Sequence, residues 1–173
     1  NLQEPSISIL GPAIEASRFY INDDEIRTMF AKLISASIDD RKNELIHHSF
    51  VEIIKQMSPL DAKILNLFSN STAIPTAKYK LQLDKTRSST KLSDLIFLEI
   101  DCSYLSSAVS IYNLERLGLI TVVFGEWLTN ENLYKKFYDF QLFHNLQNSN
   151  PVTLRKAEYE RLINQFGREA VKS

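Results

Sequence analysis

One cysteine, one tryptophan, four glycines and five prolines are spread over 173 residues. With Cys102 alone, no internal disulfide can form, which suits a reducing compartment. No phosphate-binding P-loop, no Gly-x-Ser-x-Gly elbow and no zinc-protease motif can be traced. No apolar run is long enough to span a bilayer, so no membrane contact is expected from these residues. Neither sign of charge dominates: 20 Lys and Arg stand against 21 Asp and Glu, a formal net charge of -1. No global field therefore draws the molecule onto nucleic acid or acidic lipid. A signal peptide is missing too, but the first residue is Asn1, not Met. The chain is expected to be a piece of a longer protein, so missing targeting signals say little about the parent.

What is present is ordinary globular composition, 44% hydrophobic and 24% charged, which argues against disorder. The chain is long enough for one domain with a core, or for a domain with an attached subdomain. After an extended lead-in through Pro5, Pro12 is placed for the first turn of a helix running to about Tyr20. Asn22 and Glu25 read as a capping box, and Ile21 and Ile26 as a hydrophobic staple. Ile26, Met29, Phe30, Leu33 and Ile34 then recur at helical spacing as far as Ile38. Asp39 to Asn43 is a polar loop. The run Ile46–Leu65 holds one short apolar helix, a hard stop, and a second helix. The second is started by a Ser58 cap, Pro59, and Asp61 near the positive helix end. Leu60, Ile64, Leu67 and Phe68 are its expected buried face.

The pattern then changes. Ala77, Tyr79, Leu81 and Leu83 alternate with Lys78, Lys80 and Gln82, which predicts a half-exposed strand. Leu92–Ile100 is apolar without a period, and helix and strand both fit it. Ser103–Leu117 predicts a helix stopped by Gly118. Leu119–Leu128 is rich in β-formers. Asn130–Phe143 predicts an aromatic helix, and the remainder is helical or contains a strand around Arg161–Ile163.

Val109–Ile120, VSIYNLERLGLI, resembles the third helix of winged helix-turn-helix domains entering its sheet. Gln165-Phe166-Gly167-Arg168 resembles the segment that often follows the wing. The expected class is mainly α with a small antiparallel β element (α+β): N-terminal helices over 1–57, then a winged-helix-like unit over 58–173. Such a unit reads DNA only if its helix and wing are basic. This helix would expose Ser103, Ser106, Ser107, Ser110 and Asn113, with Glu115 and Arg116 cancelling. The one basic concentration is Lys78, Lys80, Lys85, Arg87 and Lys91, which also fits a solvated hairpin whose edge is guarded by lysines.

No residue group carries catalysis. His47 and His48 point to different sides of a helix and lack a third metal ligand. Cys102 follows Asp101, whose charge disfavours a thiolate, so a buried small side chain is the expectation. Asp23-Asp24-Glu25 and Asp39-Asp40 are explained by a helix N-terminus and a loop. The aromatics Tyr134, Phe137, Tyr138, Phe140 and Phe143 fit core packing. No catalytic residue, cofactor or metal is expected.

Taken in order, several blocks resemble the abortive-infection alpha family. They are Gly11–Ala16, Asp23–Ile26, Met29–Ile34 with Ala36-Ser37, then His48–Leu65, Asn113–Ile120 and Phe166-Gly167. Ser49 departs from the Pro that commonly follows this His in the family, which touches only the helix entry. The resemblance implies a part in bacterial defence against phage. It also implies a parent with a further N-terminal helical region. It carries over no catalytic residue. The expected function is a non-enzymatic, cytoplasmic module that senses or binds a partner, a protein or a second copy of itself. The alternative is a winged-helix transcriptional regulator, with nucleic acid the less favoured partner; a nuclease or other enzyme would be a third class.

Overall fold

The protein is seen in a computed structural model that describes residues 4, 6–39, 41, 46–82, 89–126 and 128–148. Among these are seven α-helices: α1 (Ile7–Ser17), α2 (Asp24–Ile38), α3 (Ser49–Lys55), α4 (Pro59–Leu67), α5 (Tyr104–Arg116), α6 (Lys135–Asp139) and α7 (Gln141–Asn148). They fall in two units. The first is Asn1–Ile74 with Ile100–Glu126, and the second is Pro75–Glu99 with Trp127–Ser173.

The first unit is built around α2. Ile26, Phe30, Leu33 and Ser37 are its buried residues, four and three positions apart as one helix face requires. α2 packs against α1, α3 and α4, and α5 packs against α4. Ile26, Phe30, Ile64 and Leu114 have no exposed surface at all. Each such side chain contributes about 1.5–3 kcal/mol by leaving water. Two starts differ from the sequence expectation. Pro12 lies inside α1 rather than in its first turn. The helix begins five residues earlier than the Pro rule suggests because Ile9 joins Ala13 and Ala16 on its buried face. At α2 the N-cap is Asp23, with no side-chain cap bond, so the box from Asn22 to Glu25 is not formed. Glu25 lies instead 3.3 Å from Lys63 of α4.

At α4 the local chemistry does decide the start. Ser58 accepts from the Asp61 amide and Asp61 accepts from the Ser58 amide, a complete capping box with Pro59 in the first turn. The buried face is shifted from the expected one: Asp61, Ala62 and Ile64 are buried. Leu60, Leu67 and Phe68 are only partly covered. α5 ends as its sequence predicts. Gly118 adopts φ +71°, its amide donates to Glu115 O, and the Leu119 amide donates to Leu114 O. That pair of bonds is the Schellman closure, which favours glycine at the left-handed position.

The α+β, winged-helix expectation is not met, and the described fold is helical. Residues 119–126 form no strand. A β-rich sequence becomes a strand only where a second strand meets it. Here the Val122 amide is taken by the Glu115 carboxylate at 2.9 Å. The only paired strands among the described residues lie in the second unit, three residues a side: β1 (Lys80–Gln82) and β2 (Ser89–Lys91), with Lys80 opposite Lys91. One further rung joins Ala77 to Ile96.

Leu92–Ile100, whose residues Leu92–Glu99 belong to the second unit, proves to be neither helix nor strand apart from that rung. Leu95, Ile96 and Phe97 are buried nonetheless. Their backbone is carried by bonds from Ile96 to Ala77 and from Leu92 and Ser93 to Tyr79 O. Tyr79 also donates its hydroxyl to Phe137 O at 2.5 Å, and burial pushes that phenol's pKa up. The expected single aromatic helix is broken. A 3-10 turn (Glu131–Tyr134) leads into α6, and Phe140 is extended at ψ 131° before α7. Phe137 is the buried member. The expected strand or helix over residues 161–163, Phe166-Gly167 and the loop around Asp40 and Asn43 lie outside the described residues.

Candidate functional site

The α3–α4 junction and the C-terminal half of α5 are tied by polar bonds that sequence spacing did not disclose. Asp61 is 2% exposed. Its Oδ2 accepts from the Ser58 amide at 2.7 Å and from Asn113 Nδ2 at 2.8 Å. The same Asn113 nitrogen donates to Gln56 O at 3.1 Å. Asn113 Oδ1 accepts from Arg116 Nε and Nη2 at 3.1 and 2.8 Å. Arg116 Nη1 completes the ring of bonds on Gln56 Oε1 at 3.1 Å. A buried carboxylate needs donors, and these two bonds supply them at Oδ2. The arrangement holds two helices and a turn in register. It presents no nucleophile paired with a base.

α5 departs from its expected polarity at two serines and keeps it at Leu114, which is buried beside Ala108 and Ile111. Ser107 and Ser110 are buried, and the Ser107 hydroxyl is satisfied by Tyr104 O at 2.9 Å. Leu105, Val109 and Tyr112 are 51%, 69% and 36% exposed. Positions i, i+4 and i+7 share one helix face, so these three form an outward apolar stripe. The expected exposed row of serines is therefore corrected at Ser107 and Ser110. The inner side of α5 is formed by Ser107, Ala108, Ser110, Ile111 and Leu114, so apolar side chains lie on both of its faces.

A second surface feature lies between α1 and α3. Pro12, Glu15, Ala16, Phe19, Tyr20, Glu52 and Lys55 line an open groove of about 380 Å³. Phe19 stands beside it, 82% exposed. Tyr20 donates to Lys55 O at 2.9 Å, and Lys55 pairs with Glu52 at 3.0 Å.

The basic patch is seen in part. Lys80 and Lys91 are brought side by side by the β1–β2 register, and both are exposed. Lys91 is paired with Asp94 at 2.5 Å. Lys91 and, more weakly, Lys78 hold the Asp94 carboxyl below its usual range. Part of the patch's charge is thus met within the chain. Lys85 and Arg87 lie outside the described residues. The rings of His47 and His48 stack 4.1 Å apart, and His47 Nδ1 bonds Ser49 Oγ. No group of three metal-ligating side chains occurs among the described residues. Cys102 is exposed, not buried as its neighbours suggested. No helix among the described residues is long and apolar enough to cross a membrane.

These features define a helical protein with a hydrogen-bonded junction and an exposed apolar helix face. The abortive infection alpha family profile matches residues 1–172, and the chain belongs to that family. It is therefore related to abortive infection. No curated protein matches it. No solved structure matches it either. The two family-like blocks centred on Ser58-Pro59 and on Asn113–Ile120 are the two sides of the Asp61–Asn113 junction.

Proposed function

We propose that this chain is a non-enzymatic module of a bacterial phage-defence protein, acting in the cytoplasm by binding a protein partner. Family membership supports the defence role. The observation that carries the binding role is the outward stripe of α5, with Val109 69% exposed on a helix that already buries Ala108, Ile111 and Leu114 on its other side. Large apolar side chains that are contiguous and turned to water mark interaction sites more often than scattered ones do. The rigid junction beneath gives the stripe a fixed backbone, which lowers the ordering cost of binding.

The test is phage challenge of cells producing the wild-type protein or Val109→Asp. The residue is exposed, so the fold should be kept, and circular dichroism and melting check this. Protection by the wild type that is lost in a folded Val109→Asp variant is the expected result. Protection that survives the substitution would remove this face from the function.

A further inference from the structure

The groove between α1 and α3 offers hydrogen-bond acceptors and an open aromatic ring, and its one cation is already engaged. Pro12 and Glu15 come from α1, and Phe19 and Tyr20 from the 3-10 turn Arg18–Tyr20 that follows it. Glu52 and Lys55 come from α3. Lys55 is the single cation among the lining residues, and both Glu52 oxygens hold its ammonium at 3.0 Å. Arg18 does not line the groove. Glu15 is exposed and has no ion-pair partner among the described residues. The Tyr20 hydroxyl gives its hydrogen to Lys55 O, which leaves its oxygen as an acceptor. Pro12 carries no amide hydrogen, so the Ser8 carbonyl one turn earlier lacks its i+4 helical donor. Phe19 presents its ring to water at 82% exposure.

We infer that this groove takes an arginine side chain from a basic segment of a partner protein. The charge left uncompensated in the groove is the Glu15 carboxylate, so the complementary occupant is a cation. The polar groups left over accept hydrogen bonds, so that cation must bring N–H donors. A guanidinium brings several in one plane, and the same plane stacks on an aromatic face such as the Phe19 ring. A lysine ammonium supplies the charge as a point, without the plane. The groove is open to solvent, which admits a side chain carried on a larger molecule. Exposed ion pairs are individually weak, so a single arginine should bind with a Kd of about a millimolar. The inference uses no residue of α5 and goes beyond the binding role assigned to that helix.

The test is an NMR titration of the whole isotope-labelled chain with capped peptides of sequence Gly-Ser-X-Ser-Gly, where X is arginine, lysine or citrulline. Citrulline keeps the shape of arginine and removes its charge. The arginine peptide should shift the amides of Glu15, Phe19 and Tyr20 saturably, the lysine peptide should bind more weakly, and the citrulline peptide should leave those amides in place. Added salt should weaken the arginine complex. Glu15→Gln should raise its Kd about two- to fivefold, the worth of one exposed ion pair. Phe19→Ala should raise it by a similar factor, about two- to fivefold, through the lost cation–π contact. Both residues are exposed, and unchanged core amides around Phe30 check that the fold is kept. If Phe19→Ala does not fold, Phe19→Leu replaces it, keeping bulk and removing the ring. An arginine peptide that gives no saturable shift at the groove, a citrulline or lysine peptide that binds as well, or Glu15→Gln and Phe19→Ala variants that both bind like the wild type would each overturn the inference.

Discussion

Asn113 donates its side-chain amide to Asp61 at 2.8 Å across 52 positions of sequence. The bond joins the capping box of one helix to the last turns of another. Asp61 accepts from the Ser58 amide as well, so one buried carboxylate serves both the start of α4 and the docking of α5.

Removing the Asn113 amide should leave that carboxylate short of a donor. Asn113→Leu is expected to lower stability by about 1–3 kcal/mol, the cost of a buried polar group losing a partner. Asn113→Asp should cost more at neutral pH, because a second carboxylate replaces the donor. Urea melts at neutral pH measure both quantities; variants as stable as the wild type would show that Asp61 does not depend on Asn113.

Phe30 has no exposed surface and lies at the centre of the first unit's core. Phe30→Ala should cost about 3–5 kcal/mol by leaving a cavity. Phe30→Asp buries a charge without a partner and should abolish cooperative unfolding. A thermal melt of Phe30→Asp that overlays the wild type would take α2 out of the core.

Asp39 sits beside the Arg41 guanidinium, which lowers its carboxyl from 3.8 to about 2. A depressed folded pKa gives stability that is present above the unfolded value and is lost as pH falls through the folded one. Asp39 should therefore help the fold above about pH 3.8 and cease to help near pH 2. The Arg41 side chain is 77% exposed, so solvent screens the pair and the effect should be small. Asp39→Asn should flatten the fall of melting temperature across that window. An unchanged slope would show that the Asp39–Arg41 pair is not formed in solution.

Nucleic-acid binding at physiological salt should be weak. Few cations are available for counterion release, and Lys91 already faces Asp94. Fluorescence anisotropy with duplex and single-stranded DNA should give dissociation constants no tighter than about micromolar, as for non-specific binding. Nanomolar, sequence-dependent binding that is lost on replacing Lys78, Lys80 and Lys91 would make the strand pair a nucleic-acid site.

The parts of the fold that the sequence discloses are those set by local chemistry. Ser58, Pro59 and Asp61 satisfy helix-end amides within four residues. Gly118 supplies a left-handed turn, and the Phe30 face repeats at helical period. The parts that sequence reading misplaces depend on distant partners. Leu119–Leu128 has β-formers but meets no second strand among the described residues, and the Val122 amide goes to Glu115. The aromatic segment after Asn130 has helical spacing, yet Phe140 turns extended between two short helices. On α5, periodicity could not show which face is inward. Ser107 is buried with its hydroxyl donating to Tyr104 O, one turn back. The Asn113–Asp61 junction left no mark in spacing. Its only trace is that both blocks belong to the family pattern.

The capping box also sets the order in which the first unit comes apart. Turns between helices ordinarily exchange their amide hydrogens early, since their bonds open without disturbing a core. Here the Ser58 amide is held by a carboxylate that α5 also grips, and the Gln56 carbonyl is held by α5 as well. The turn is thereby freed only when α5 lifts away. Its amide protons become clocks for that event, and hydrogen exchange at Ser58 should keep pace with the interior of α5 rather than with the surface.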